Sequence, residues 1–292
     1  MAAWSDNIRK VEPYVPGEQP KDTDVIKLNT NENPYGPSQR VKNVMMDIDT
    51  LRLYPDPTAS ALVDVLAEYH GVDPSQVFVG VGSDDVLAMS FLTFFNSDKP
   101  ILFPDITYSF YDVWAELFRI PYERLALNEN FRLVKEDYYR ENGGIVFPNP
   151  NAPTGIYEDL ANVEDIIAHN RDSIVIVDEA YIDFGGRSAL ELIDRYDNLV
   201  VVRTFSKSRS MAGLRIGYAI SNPVLIKALN DVKYSYNSYT MNRPSIIMGA
   251  ESVKDDPYFK ETTAKVVATR ERFVDSIRPV SYTHLRAHET RS

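Results

Sequence analysis

Six short apolar runs, each rich in β-branched residues, recur along the chain with longer amphipathic stretches between them. The runs fall at 77–79, 101–103, 145–147, 174–177, 199–202 and 216–220, each bounded by Gly, Pro, Asp or Ser. A run that is apolar at every position has no solvent face, so it predicts a strand buried on both sides. The stretches at 59–70, 84–95, 109–118 and 159–170 carry apolar residues at helical spacing instead. Such alternation predicts βαβ units, and so an α/β fold whose mostly parallel sheet is the middle of three layers. In open sheets of this kind ligands bind outside the carboxyl ends of the strands. Polar residues directly after the runs are therefore the candidates for chemistry.

Composition narrows the partners. At 292 residues the chain is long for one domain, which predicts a large domain and a smaller one. Residues 1–35 are rich in proline and asparagine and read as an extended arm that contributes to the smaller domain. Residues 36–250 read as the large domain and 251–279 as the start of the smaller C-terminal one. A net charge of −11 leaves no dense basic face for a nucleic acid. The absence of cysteine excludes disulfides and thiolate metal sites, and it fits a reducing, cytoplasmic setting. The first residues lack the apolar core of a signal peptide, and no run reaches membrane-spanning length. A partner of small-molecule size is the expectation.

Four segments that follow runs carry the candidate chemistry. Gly80-Val81-Gly82-Ser83-Asp84-Asp85 leaves one run and opens a helical stretch. Its glycines let backbone approach an anion, and free amides at a helix start donate to phosphate. The same residues also make a plain glycine turn with Ser83 or Asp84 as helix N-cap. Asn149-Pro150-Asn151-Ala152-Pro153-Thr154-Gly155 forms a stiff loop whose asparagines can bond a phenolic or carboxylate oxygen. An ordinary strand-to-helix connection would have a similar composition.

The third segment ends the run at 174–177 with Asp178, followed by Glu179, Ala180 and Tyr181. An unpaired charge at the end of an apolar strand is costly, so Asp178 needs a cation, a metal or a helix cap. No histidine lies nearby in sequence, which disfavours the metal. In the fourth, Ser206 and Lys207 follow a run, and Arg215 stands shortly before another. A lysine amine forms a Schiff base with an aldehyde, aided by neighbouring cations that lower its pKa. Hydroxyls and an arginine suit a dianionic phosphate. A solvated basic loop is the plain alternative. Together the segments fit pyridoxal phosphate: a lysine for its aldehyde, a carboxylate to keep its ring nitrogen protonated, and a helix start for its phosphate. The freed amine of Lys207 can then shuttle the proton between substrate Cα and the cofactor carbon C4′.

Beyond these segments the chain resembles the fold-type-I, aspartate aminotransferase superfamily, and within it the histidinol-phosphate aminotransferase branch. The stretches that carry the resemblance are RKVEPYVPGEQP (9–20), KLNTNENPYGPS (27–38), LRLYPDP (51–57), VGVGSDDVL (79–87), NPNAPTG (149–155), VDEAYIDF (177–184) and RTFSKSRSMAGLRIGY (203–218). The resemblance implies a pyridoxal-phosphate-binding large domain and an incomplete small α/β domain. It implies Lys207 as the cofactor lysine, Asp178 as partner of the ring nitrogen, Tyr181 on the phenolic oxygen and Tyr108 against the ring. Ser83, Asp84, Ser206 and Arg215 match phosphate-binding positions. Tyr54 matches a tyrosine that reaches the neighbouring subunit's phosphate, which implies a homodimer. Asn33 to Tyr35 matches the arm that closes over substrate.

Two departures follow. The family's asparagine before Pro-Thr-Gly is here Ala152, with Asn151 as the substitute one residue earlier. The family also continues into a full C-terminal domain with an arginine for the substrate carboxylate. Here residues 280–292, which include His284 and His288, read as an unrelated tail. The implied reaction is amino transfer between L-histidinol phosphate and 2-oxoglutarate, giving imidazole acetol phosphate and glutamate. An aromatic aminotransferase, a threonine-phosphate decarboxylase and a cofactor-binding but inactive chain stand as alternatives. A binding protein in which Lys207 is only a surface charge stands further off.

Overall fold

A computed structural model describes residues 7–15, 17–18 and 26–277. Seven strands form one sheet: β1 (Val77–Gly80), β2 (Ile101–Pro104), β3 (Tyr122–Leu125), β4 (Gly144–Pro148), β5 (Val175–Asp178), β6 (Leu199–Thr204) and β7 (Gly217–Ser221). Their order across the sheet is β1-β7-β6-β5-β4-β2-β3. β7 is antiparallel to both its neighbours, and every other pairing is parallel. Six strands thus point one way, with only β7 against them. The carboxyl ends of β1, β2, β4, β5 and β6 share one edge with the start of β7.

Eight helices accompany the sheet: α1 (Gln39–Lys42), α2 (Ser60–His70), α3 (Ser83–Phe94), α4 (Phe110–Phe118), α5 (Leu160–His169), α6 (Pro223–Tyr236), α7 (Arg243–Lys254) and α8 (Asp256–Ile277). Alternate residues of a strand feed opposite faces, and the two cores follow that period. Val175, Val177, Leu199 and Val201 join one apolar cluster with residues of α2 and α5. Ile176, Val200 and Val202 join the other, with residues of α3, α4 and α6. Each such side chain, wholly removed from water, stabilises the fold by about 1.5–3 kcal/mol. The three-layer α/β expectation holds.

β3 is the strand that the run pattern did not mark. Its residues are Tyr122, Glu123, Arg124 and Leu125, and it lies at the sheet edge beside β2. Charged side chains on an edge strand discourage pairing with other chains, and they erase the apolar signature. Elsewhere the strand limits move by about one residue; β5 runs through Asp178, which the sequence placed just beyond it. α7 spans residue 250, where the smaller domain was expected to follow, and packs on α2. The segment 280–292, expected to be an unrelated tail, lies outside the described residues.

Candidate active site

The parallel edge gathers the four segments. The turn after β1 brings Gly82 and Ser83, the loop after β2 brings Tyr108, β5 ends on Asp178, the loop after β6 carries Lys207, and Arg215 stands just before β7.

Asp178 is buried at 4% exposure. The Tyr111 hydroxyl donates to its Oδ2 at 3.1 Å, and the Ala180 amide donates to Oδ1 at 3.1 Å. Among the described residues no lysine, arginine or histidine lies within ion-pair distance of it. Burial pushes its carboxyl up to about 6, against the pull of the Tyr111 and Ala180 bonds. A desolvated carboxylate with two neutral donors and no counter-ion is a costly arrangement. A ligand's protonated nitrogen would offset that cost.

Lys207 faces the N-terminal strap. Its Nζ donates to the Thr30 carbonyl at 2.9 Å and stands 5.4 Å from the centroid of the Tyr181 ring. The Asn33 amide donates to the Lys207 carbonyl at 2.9 Å and to that of Ser208 at 3.3 Å. Asn31 Nδ2 lies 3.2 Å from the Tyr181 hydroxyl, and the Tyr35 amide donates to Asn33 Oδ1 at 3.0 Å. The strap therefore touches both the lysine and the tyrosine that the sequence singled out. Tyr35 itself points toward α8, with Lys265 Nζ 5.7 Å from its ring centroid.

A cradle forms at the start of α3. Gly82 has φ +91°, and a Cβ there would stand 2.4 Å from Arg215 Nη2. A Cβ on Gly217 would stand 2.3 Å from the Ser83 nitrogen. Only glycine allows backbone, guanidinium and strand to approach this closely. No side chain caps α3, so its first amides stay available to an anion. Arg215 donates to Ser206 Oγ at 3.4 Å and pairs with Asp84 Oδ2 at 3.0 Å. Tyr108 donates to Asp84 Oδ1 at 2.8 Å, and burial pushes its phenol well above its ordinary value. Asp84 can thus offer an anion only its backbone amide; its carboxylate neutralises Arg215. Tyr108 belongs to an aromatic wall with Phe110, Tyr111 and Trp114, at centroid distances of 5.5, 5.8 and 6.1 Å.

Asn151 is buried among loops. Its Nδ2 donates to the Ile106 carbonyl at 2.9 Å and to Thr154 Oγ1 at 3.0 Å, while Thr107 Oγ1 donates to its Oδ1 at 3.2 Å. Both amide hydrogens are engaged, so in this arrangement Asn151 ties two loops together and has no donor left for a phenolic oxygen. Tyr54 is 79% exposed, stacked on Tyr239 at 4.6 Å, with its carbonyl accepting from Arg243 at 3.1 Å. Sequence reasoning did not single out Tyr111, Thr30 or Asn31. Tyr111 looked like one more apolar position of a helix, and nothing in the arm marked which carbonyl would meet Lys207.

A pyridoxal-phosphate-sized ligand fits these residues by chemistry: an amine, a buried carboxylate held only by neutral donors, and a glycine cradle with an arginine. The model of the family "Aminotransferase class I and II" matches residues 23–290, and the chain belongs to that family. Among curated relatives, the histidinol-phosphate aminotransferase of Pseudomonas putida is 54% identical over 276 residues, which are 94% of this chain and 79% of the relative. That of Clostridium beijerinckii is 49% identical over 286 residues, 97% of this chain and 80% of the relative. Solved structures agree on the fold. The histidinol-phosphate aminotransferase of Clostridium acetobutylicum superposes with a TM-score of 0.78 at 23% identity, covering 88% of this chain and 78% of that one. That of Sinorhizobium meliloti, in complex with pyridoxal-5'-phosphate, gives 0.74 at 24% identity, covering 85% and 69%.

Proposed function

We propose that this chain transfers an amino group between L-histidinol phosphate and 2-oxoglutarate with pyridoxal phosphate as cofactor, a step of histidine biosynthesis. The observation that carries the reading is a buried Asp178 with no counter-ion among the described residues, on the same sheet edge as Lys207. The choice of substrate rests on relatives of that name at about half identity over nearly the whole chain. When bound, the cofactor's ring accepts electrons from the substrate Cα. The protein's residues do the rest. Asp178 keeps the ring nitrogen protonated, held in place by Tyr111 and Ala180. The amides of Ser83 and Asp84, with Arg215 and Ser206, hold the phosphate. Tyr108 would pack against the ring and Tyr181 would hydrogen-bond its phenolic oxygen. The Lys207 Nζ would hold the cofactor's aldehyde carbon and, once freed, would serve as the base for the substrate Cα proton. Asn33 and Tyr35 belong to the strap that closes over substrate.

We further assign the protein as a homodimer of the cytoplasm. Tyr54 shares an exposed surface with Met45, Ile48, Leu51 and Leu53, which supports an apolar contact with a second copy. The lack of cysteine fits a reducing compartment. Sedimentation would test the dimer: a monomer at micromolar concentration rejects it. The reaction is tested by adding pyridoxal phosphate, reducing with borohydride and mapping the label, then comparing histidinol phosphate with aromatic donors. A label on Lys207 and a preference for histidinol phosphate are expected. A label elsewhere rejects the cofactor site, and equal rates reject the substrate.

A further inference from the structure

We propose that Asp183 is a positioning residue for Lys207, acting through the hydroxyl of Ser208. The inference rests on the cofactor role of Lys207 given above. Asp183 lies on the short 3-10 turn Ile182–Phe184, directly after Tyr181. Its Oδ2 accepts from Ser208 Oγ at 2.5 Å, and Ser208 is 1% exposed. Its Oδ1 faces Arg203 Nη1 at 3.4 Å. Arg203 is itself fixed, donating through Nε and Nη2 to Glu179 at 3.0 and 2.8 Å and to Ser188 Oγ at 2.8 Å. Glu179 follows Asp178, and Ser208 follows Lys207. One chain of polar contacts, from buried Glu179 and Ser208 through partly buried Arg203 and Asp183, therefore links the Asp178 strand end, the Tyr181 turn and the Lys207 loop.

The physical need is plain. A lysine side chain has many rotamers, so its amine finds one point in space only as well as its backbone is held. Asn33 grips the Lys207 and Ser208 carbonyls from the strap side. A strap that closes over substrate cannot serve as a fixed reference, whereas Asp183 ties the Ser208 side chain, next to Lys207, to the turn after β5. Its neighbour Arg209 is anchored as well, 7% exposed, with Nη1 donating to the Ser252 carbonyl at 3.0 Å. Misplacing a reacting group by about 1 Å costs on the order of 100-fold in rate.

The test uses Ser208→Ala, Ser208→Thr, Asp183→Asn and the double variant Ser208→Ala/Asp183→Asn in the full chain. Two quantities are read: the rate at which added pyridoxal phosphate becomes borohydride-trappable on Lys207, and steady-state turnover. Ser208→Ala and Asp183→Asn should each slow both by about 10-fold or more with KM within about two-fold, and Ser208→Thr should restore most of the loss. Two groups in one chain of contacts are not additive, so the double variant should be no slower than the slower single one. Wild-type capture and turnover in Ser208→Ala, or a double loss equal to the product of the singles, overturns the proposal. If Asp183→Asn fails to fold, Ser208→Ala and its threonine rescue decide alone. Failure of the wild-type chain to form the Lys207 adduct would overturn the cofactor reading and this inference together.

Discussion

Asp178 and Glu179 are adjacent at the end of β5, both buried, and project to opposite faces of the sheet. Glu179 receives a complete set of partners: Arg203 through two nitrogens, the Ser188 hydroxyl at 2.7 Å and the Ala189 amide at 2.6 Å. Burial pushes its carboxyl up, Arg203 and the other donors pull it back, and Glu179 in turn holds the Arg203 guanidinium protonated well above its ordinary value. Asp178 receives only a tyrosine hydroxyl and one amide. A buried carboxylate matched by protein groups maintains the fold, whereas one left short of a cation is kept for something the protein binds. The same strand end thus carries a carboxylate paired with an arginine and, one residue away, a carboxylate held by neutral donors alone.

The largest expected effect concerns the functional face. Lys207→Ala should abolish the borohydride-trapped adduct and lower transamination by at least about 10⁴-fold, with a near-normal melting temperature. Residual label at another lysine would relocate the cofactor. On the structural face, Glu179→Gln leaves Arg203 with only Asp183, at 3.4 Å, as counter-ion and should cost up to about 3 kcal/mol in denaturant unfolding. Its cofactor band should persist in whatever fraction folds; loss of the band with unchanged stability would reverse the roles assigned to the two carboxylates.

Asp178→Asn should do the opposite. The carboxyl moves from an ordinary 3.8 to about 6 on folding, so the folded chain holds its proton more tightly than the unfolded chain does. Below pH 3.8 both states are protonated and nothing is lost; as pH rises through about 6 the ionised carboxylate becomes a cost to the fold. At 1.36 kcal/mol per pH unit that cost is on the order of 3 kcal/mol. Without pyridoxal phosphate, Asp178→Asn should therefore be more stable than wild type at pH 8 and equal to it near pH 3.5, while turnover falls by about 10²–10³-fold. Equal stability at pH 8 would mean that Asp178 already has an adequate partner.

The last effect is confined to acid pH. His70 Nε2 is 3.0 Å from the Tyr218 hydroxyl, and burial, with the charges of Arg203 and Arg209, lowers its pKa from 6.5 to about 3. The unfolded chain then binds the extra proton between those values, so stability is full above pH 6.5 and declines toward pH 3. His70→Gln should flatten the acid limb of the stability curve by at most about 1.4 kcal/mol per pH unit. An unchanged limb would place His70 in solvent.

Much of this was legible beforehand, for reasons that differ by residue. The buried strands announced themselves because a strand covered on both faces must be apolar at every position, as in β5 and β6. Edge strand β3 did not, since Glu123 and Arg124 follow the needs of solvent. Lys207, Asp178, Ser83 and Arg215 could be named because each stands at or within three residues of a strand end, where an α/β sheet places its ligands. Asn151 was expected at the cofactor as the substitute for the family's asparagine, replaced here by Ala152; its amide hydrogens are spent on Ile106 and Thr154. Tyr111 was hidden because a helix's inward face reads as core whether or not one hydroxyl meets a carboxylate.

Sequence by itself determined the α/β class, the strand ends that carry chemistry and the residue types available there. These follow from local periodicity and from glycine, proline and charge placed against it, which act over a few residues. Only the tertiary structure decided that Asp178 has no cation among the described residues while Glu179 has one, that Thr30 and Asn33 meet Lys207, and that Asp183 accepts from Ser208. Those contacts join residues far apart along the chain, and their energies depend on burial and distance, which no local pattern encodes.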